Sequence, residues 1–572
     1  MSSQAGHDPR RTPFSWRDGA AWLVVFALIY TVINVADEWR APLRQSAVIH
    51  LEARYLPGYT FYSLMRGIAA YVVSFLFTMV YGYMMARVRG ASRVMLPLLD
   101  ILQSIPVLGF LPGFVLALVH LFPHRNVGLE MASVLMIFTG QVWNMTFSFY
   151  NSLRSVPQDL VEVSQLSGLG WWQRFMSLDL SYAAPGLIWN SMMSMAGGWF
   201  FLAVSEAFVL GDHDFRLPGV GAYMSVAIER GDGEAQVLGV LAMIIMIVAL
   251  DVVVWRPVVA WAHRFSDEQG RPATLLFSWD WWGRTRLAAW LGAFGRKTRL
   301  WIASLPIGGA MPDVLKRPRR PRGWRAWTGR VFIWLVWAGI IASVGFYIDL
   351  VQTVHWSQWL DLIRDTALTF GRVLASVVFA TLWTVPVGVW IGTHKKWARR
   401  LQPVIQTAAS FPAPMLYPLV LGLAISAGFG LESSSIALLL LGTQWYVLFN
   451  VIAGASGMPN DLREVCSLAT LRRSRVWTAY ILPAIFPQLV TGWITAMGGA
   501  WNASVVAEYL RYQGCTLSAT GLGATISKAT EHGDFATLAA AVGLMSVSVV
   551  GFNRLVWRPL SRLAQNRYAA LQ

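Results

Sequence analysis

Long apolar runs alternate with short polar, cation-rich breaks along almost the whole chain. Six runs occupy residues 20–36, 61–86, 94–121, 129–151, 183–210 and 236–261. Six more occupy residues 331–348, 367–393, 401–424, 434–454, 484–510 and 535–557. Each approaches the ~20 residues that a helix needs to cross the hydrocarbon of a bilayer. The pattern predicts an all-α integral membrane protein with about 12 transmembrane helices. A stretch between the fourth and fifth runs differs in texture. Pro157 opens it, and Leu160, Val163, Leu166 and Leu169 recur every third residue among polar neighbours. This spacing predicts a short helix with a narrow apolar stripe, begun by a proline whose missing N–H costs nothing in the first turn. It is too short to span, so it lies on the membrane surface, as a plain connector or as a docking helix for a partner protein.

The pattern is written twice. Pro157, Asp159, Leu160, Glu162, Val163, Leu166, Leu169, Leu180 and Pro185 recur 302 positions later as Pro459, Asp461, Leu462, Glu464, Val465, Leu468, Leu471, Leu482 and Pro487. The same offset relates Met195, Trp199 and Glu206 to Met497, Trp501 and Glu508, and Gly219 and Gly221 to Gly521 and Gly523. Nearer the start of each copy the offset is 306, relating Arg66 to Arg372, Gly82 to Gly388, Pro106 to Pro412 and Pro112 to Pro418. The slip falls between Pro112 and Trp143. A period this long is a domain duplication, not a solenoid. Six spans per copy is an even number, so the repeats are parallel, related by an axis along the membrane normal. The expected division is an N-terminal segment 1–19, a first repeat 20–262, a linker 263–328, a second repeat 329–559 and a tail 560–572.

Composition agrees. Of 572 residues, 55% are hydrophobic and 13% charged, with mean hydropathy +0.48, against about 25% charged in soluble domains. The net charge of +16 resides in short connections and in the linker rather than on a soluble face, which argues against nucleic acid. Arg87, Arg89, Arg93, Lys395, Lys396, Arg399, Arg400, Arg472, Arg473, Arg475, Arg558 and Arg562 fall on one side with the linker. The positive-inside rule makes that side cytoplasmic and puts both termini and both docking stretches there. The linker holds 13 Lys/Arg against 4 Asp/Glu, and its Trp-rich part, 275–302, suits a helix in the headgroup layer facing anionic lipid. Cys466 and Cys515 fall on opposite sides, so neither a disulfide nor a metal site is implied. The N-terminal segment lacks a cleavable-signal pattern.

The two docking stretches resemble the cytoplasmic loop signature of ABC importer permeases, in which Glu-Ala-Ala precedes a Gly and an Ile-x-Leu-Pro ending. The first copy has Glu162-Val163-Ser164, Gly168, Leu178 and Leu180, with Ser181 in place of the Pro. The second has Glu464-Val465-Cys466, Tyr480, Leu482 and Pro483, with Thr470 in place of the Gly. Ala507-Glu508 followed by Gly521-Leu522-Gly523, together with Ser63…Arg66 and Thr369…Arg372, is similar to the nitrate, sulfonate, taurine and bicarbonate permease group. The resemblance implies a tandem-fused permease of the type I ABC importer fold in a bacterial inner membrane. It also implies two cytoplasmic ATPase subunits docked at coupling helices around 157–170 and 459–472, and a periplasmic or lipid-anchored solute-binding protein. ATP closure would swing the halves from inward-open to outward-open. The sequence has no Gly-x-x-x-x-Gly-Lys-Ser/Thr phosphate loop, so ATP-Mg would belong to the partner ATPases and this chain would hold no cofactor.

The candidate coupling residues are Asp159, Glu162, Leu166, Gly168 and Leu169, and Asp461, Glu464, Leu468, Thr470 and Leu471. Glu162 and Glu464 suit either the helix N-terminus, whose dipole favours a carboxylate, or a salt bridge to the ATPase. Arg472-Arg473-Ser474-Arg475 makes the second docking face more basic than Gly170-Trp171-Trp172-Gln173 makes the first, so the two coupling sites are expected to be unequal. The candidate substrate-pathway residues are Arg66, Arg372, Met195, Trp199, Met497, Trp501, Glu206 and Glu508. A guanidinium suits an oxyanion, though Arg66 and Arg372 could equally be interfacial anchors. A carboxylate repels an anion, so Glu206 and Glu508 better fit a hydrogen bond to the following Gly-rich turn, or a gate. Segments 222–230 and 524–532 are expected to be outer hairpin helices. Two other classes stay open: an ion-coupled carrier or channel, and a membrane enzyme, for which the spans offer no repeated nucleophile or His/Asp/Glu cluster.

Overall fold

The computed structural model describes residues 37–41, 47–88, 90–104, 106–210, 213–262, 324–458 and 472–568. The first predicted span (20–36), most of the linker (263–323) and the second docking stretch (459–471) lie outside the described residues. Seven described helices are long and apolar enough to cross a membrane: Ala53–Arg87, Trp171–Ser205, Gly233–Val259, Trp356–Thr393, Leu431–Ser456, Ser474–Ala507 and Phe535–Arg567. Val127–Arg154 occupies in the first copy the place that Leu431–Ser456 occupies in the second.

The duplication is repeated in the backbone. π-helical turns fall at Phe175–Asp179 and Trp477–Ile481, and again at Asp251–Trp255 and Asn553–Trp557. Asp232 accepts a hydrogen bond from the N–H of Ala235, and Asp534 accepts one from Thr537, so both sixth spans begin at the same Asp cap. Gly82 lies against Phe149 and Gly388 against Val451, at repeat-related positions. A Cβ would meet those side chains at 2.8 and 2.7 Å, so small residues set the approach of the second and fourth spans.

Four of the predicted spans are corrected by the structure. Residues 94–121 do not form one helix: Ala91–Ser104 and Leu111–Leu121 are separated by a 3-10 turn, Val107–Phe110. In the second copy, Val404–Ser410 and Ala413–Ser426 meet at 87°. Pro106 and Pro412 stand at the breaks with ψ of 116° and 112°. A proline offers no N–H to the preceding turn and disfavours helix in the residue before it. The fifth spans begin earlier and end sooner than 183–210 and 484–510. They stop at Ser205 and Ala507, and the apolar residues beyond form antiparallel hairpins, Ala207–Leu210 with His213–Arg216 and Tyr509–Tyr512 with Cys515–Ser518. Hydropathy does not separate the end of an apolar helix from an apolar strand. The hairpins lead into the short helices Val220–Glu229 and Leu522–His532, close to the expected 222–230 and 524–532. One apolar core runs through both halves, and the N–H of Val107 donates across them to Asn502 Oδ1 at 2.7 Å.

Candidate functional site

Three places carry chemistry: a surface helix, a pair of ion clusters, and a cavity between the halves.

The surface helix is Gln158–Leu166. Pro157 precedes it in extended conformation, and Gly168 closes it at φ +65°, a left-handed turn that favours glycine. Its apolar stripe is uncovered: Leu160 is 44% exposed, Val163 57% and Leu166 88%. Asp159 and Glu162 are exposed, Leu169 is half-buried, and only Ser164 in this helix is buried. The chain beyond Gly170 is firmly seated. Arg87 donates to the buried carboxylate of Asp179 at 2.6 Å, Arg174 lies 3.9 Å from its other oxygen, and Trp171 Nε1 donates to the Tyr83 hydroxyl at 2.6 Å. The second copy has Thr393, Val476 and Ile481 where Arg87, Arg174 and Asp179 stand in the first. The seat is therefore charged in one half and uncharged in the other. The sequence signal was an Asp inside an apolar run whose repeat partner is Ile. Asp461, Glu464, Leu468, Thr470 and Leu471 lie outside the described residues.

The ion clusters bring Arg66 to Glu206 and Arg372 to Glu508. Arg66 is completely buried. Its Nε and Nη2 donate to the two oxygens of Glu130 at 2.6 and 2.7 Å, and its Nη1 donates to Glu206 Oε1 and to the Pro218 carbonyl, both at 2.8 Å. Ser63 donates to Glu206 at 2.6 Å and accepts from the N–H of Val220, while the N–H of Gly221 donates to Glu206 at 2.7 Å. The second copy reproduces this with Arg372, Glu432, Glu508, Thr369, Leu522 and Gly523. Glu206 and Glu508 thus bond to the turn after the hairpin. Glu130 and Glu432 escaped the sequence reading although they stand 302 positions apart. One difference separates the copies: the side chain of Glu130 is 0% exposed and that of Glu432 is 55%.

The glycines of these turns are required by space, not by backbone angle. Gly219 and Gly521 are extended, at φ 179° and 174°. A Cβ on Gly219 would stand 2.3 Å from the Glu206 carboxylate, and one on Gly523 would stand 2.4 Å from the Ser504 carbonyl. Gly523→Ala is expected to cost about 1–3 kcal/mol by overpacking, whereas Gly498→Ala, with nothing within 4 Å, leaves stability unchanged. Thermal unfolding of the two variants beside the parent checks this, and equal losses would refute it.

Cavities lie between the halves among the described residues, two of them of about 280 and 230 Å³. The one at the hairpin end, called outer after the orientation expected from the sequence, is lined by both hairpins and by the ion pairs Arg216–Glu229 and Arg511–Glu531. There Tyr509 donates to Glu531, and burial together with that carboxylate pushes the phenol up to about 12, so it stays protonated at neutral pH. The inner cavity, about 230 Å³, is lined by amides, aromatic rings and small residues, Gly197, Gly498 and Gly499 among them. None of Arg66, Arg372, Glu206 and Glu508 lines it. Met195, Trp199, Met497 and Trp501 are packed in the core at 1–3% exposure. Gly197, Gly498 and Gly499 stand at the axis between the halves, where small residues are expected from the sequence, whereas the cavity's amides and aromatic rings escaped the sequence reading because they are scattered along the chain. Among the described residues, no group of His, Cys, Asp and Glu could hold a metal ion.

Residues 54–261 and 384–556 each match the family described as binding-protein-dependent transport system inner membrane component. The chain is 26% identical over 197 residues to a nitrate import permease protein of Leptolyngbya laminosa, covering 33% of this chain and 67% of that one. It is 27% identical over 192 residues to a taurine transport system permease protein of Escherichia coli, covering 33% and 65%. It is 25% identical over 147 residues to a bicarbonate transport system permease protein of Synechococcus elongatus, covering 26% and 51%. The chain thus spans about half to two thirds of the length of these relatives.

Proposed function

The chain belongs to the family of binding-protein-dependent transport system inner membrane components, and from that premise we propose that it is the fused, two-repeat permease of an ATP-driven importer for a small oxyanion of the nitrate, sulfonate or bicarbonate type. It is a multi-pass inner membrane protein and a transport component. Two cytoplasmic ATPase subunits dock on it, one on each repeat, and ATP-Mg is hydrolysed there. A solute-binding protein, periplasmic or lipid-anchored, delivers the solute to the outer side. The termini and the basic linker face the cytoplasm, and the halves alternate access to the inner cavity.

The observation that carries this reading is the helix Gln158–Leu166. Leu160, Val163 and Leu166 are open to solvent beside a seat fixed by the buried Asp179 ion cluster. A helix held at its end and bare along its apolar stripe fits a groove on a partner. It can pass a rigid-body motion of that partner to the fifth span, with which it is nearly continuous. In the clusters, Arg66 and Arg372 tie the second, fourth and fifth spans of each repeat, so each half moves as a body. The test is reconstitution of the chain with its co-purifying partners into liposomes, with binding protein added outside. Solute uptake should require ATP in the compartment holding the ATPases. Uptake driven by an ion gradient and indifferent to ATP would overturn the reading in favour of a secondary carrier.

A further inference from the structure

The wall of the inner cavity has a chemistry that bears on solute recognition. Among the described residues, no charged side chain lines it. Its polar groups are four side-chain amides, Gln103, Asn144, Gln406 and Asn502, the indole N–H groups of Trp143 and Trp445, the Tyr446 hydroxyl, and the hydroxyls of Thr139 and Thr495, which donate to carbonyls of their own helices. Asn502 is committed to Val107 and to its own helix. The amides of Gln103, Asn144 and Gln406 make no hydrogen bond with the described residues, and Trp143 Nε1 is buried with no acceptor. These are donors waiting for an acceptor. The rest of the wall is aromatic, with Phe200, Phe411, Trp445 and Phe449 in it.

The two repeats do not contribute equally. Trp143 and Trp445 are repeat partners, but Asn144 is matched by Tyr446, Asn502 by Phe200 and Gln103 by Ala409. A permease built from two identical chains would present each lining group twice about its axis. In this fused chain the pairs have diverged, so the cavity has no two-fold and can hold a solute with two unlike ends.

Building on the reading above, we infer that this cavity is a solute site for an organic sulfonate: a weakly hydrated, singly charged oxyanion head on an apolar body. Neutral amide and indole N–H groups can replace the water around an anion whose charge is spread over three oxygens. Nitrate shares that kind of head, but neither it nor bicarbonate brings an apolar body to offset the cost of leaving water. The aromatic wall takes the body, as apolar pockets with a few placed polar groups do. A cavity of about 230 Å³ leaves nitrate or bicarbonate loosely held. The lack of a fixed countercharge also keeps binding weak, so the solute can leave on the other side.

The test uses the full chain in lipid nanodiscs, with benzenesulfonate followed by proton saturation-transfer NMR and empty nanodiscs subtracted. Benzenesulfonate should receive saturation, and hexanesulfonate should displace it at about equal concentration. Nitrate and bicarbonate should need roughly tenfold more or fail to displace it, in line with the apolar contact they lack. Trp143→Phe keeps the ring and removes the N–H, and Asn144→Leu keeps the shape and removes the amide. Each should weaken binding about tenfold, the usual loss of a hydrogen bond to a charged group, with unchanged melting temperature. Displacement by nitrate or bicarbonate as effective as that by hexanesulfonate would overturn the inference, as would parental affinity in both variants. Assembly of the ATPases on the same preparation is scored separately. Assembly without sulfonate binding refutes the site alone, and sulfonate binding without any ATPase refutes the importer reading alone.

Discussion

Arg66→Met is expected to abolish accumulation of folded protein, while Arg372→Met yields a weakened protein that still folds. The two arginines are repeat partners with the same kind of neighbours, so sequence alone gives no reason to rank them. Burial does. Arg66 is the only cation bonded to Glu130 and Glu206 among the described residues, and both carboxylates are 0% exposed. Removing it leaves two buried, adjacent carboxylates without a countercharge, and breaking a buried ion pair from one side costs on the order of 3–5 kcal/mol. That is comparable to the whole margin of many folded domains. In the second copy Glu508 is equally buried, but Glu432 is 55% exposed and accepts from the N–H of Thr520 as well. Water can solvate Glu432 once Arg372 is gone, so only one carboxylate is stranded. Melting of detergent-solubilised parent and variants, read as the monodisperse fraction after heating, should place Arg66→Met far below Arg372→Met. Adding Glu130→Gln and Glu206→Gln to Arg66→Met should recover part of the loss, because the stranded charges are removed with their cation. Equal melting of the two single variants would sink this account.

The ranking turns on a difference between copies, and so does much of what the sequence hid. Repetition made visible whatever the copies share: the Glu206 and Glu508 turns and the Gly pairs stand at fixed offsets because each half makes the same contacts there, and the docking stretch recurs at the same offset in the sequence. Hydropathy located the spans, yet it ran through Pro106 and Pro412 and past Ser205 and Ala507. An apolar residue scores alike in a helix, a broken helix or a hairpin strand. Glu130 and Glu432 were readable as a repeated acid at the start of the fourth span, but their partners come from spans two and five, which only folding brings together. The cavity amides are harder still. Gln103, Asn144, Gln406 and Asn502 come from four separate helices, and each is matched by a residue of another kind in the other copy. A search for matching positions discards them, although solute selectivity is where duplicated halves are free to diverge. The Asp179 seat is hidden in the same way, since Thr393, Val476 and Ile481 replace its ionic groups.

Leu166→Asp is expected to release the ATPase subunit from the first repeat without harming the fold of the chain. Leu166 is 88% exposed, so its side chain supports little of this chain's own stability, and surface changes of that kind usually stay within about 0.5 kcal/mol. In the assembled importer the same side chain, the most exposed of the stripe formed with Leu160 and Val163, would be one of the few apolar anchors that carry most of an interface. Truncating such an anchor costs about 2 kcal/mol or more, and burying a carboxylate in its place adds a desolvation penalty. The dissociation constant should therefore rise by at least ~30-fold. Parent and variant should melt alike and elute alike in detergent, while ATPase recovered with the tagged chain falls and solute-stimulated ATP hydrolysis is lost. Glu162→Arg, one turn earlier on the exposed surface, should give a smaller and salt-dependent loss if that carboxylate meets a cation of the ATPase. Full ATPase recovery with Leu166→Asp would show that the partner docks elsewhere, and the bare stripe would then belong to the membrane surface.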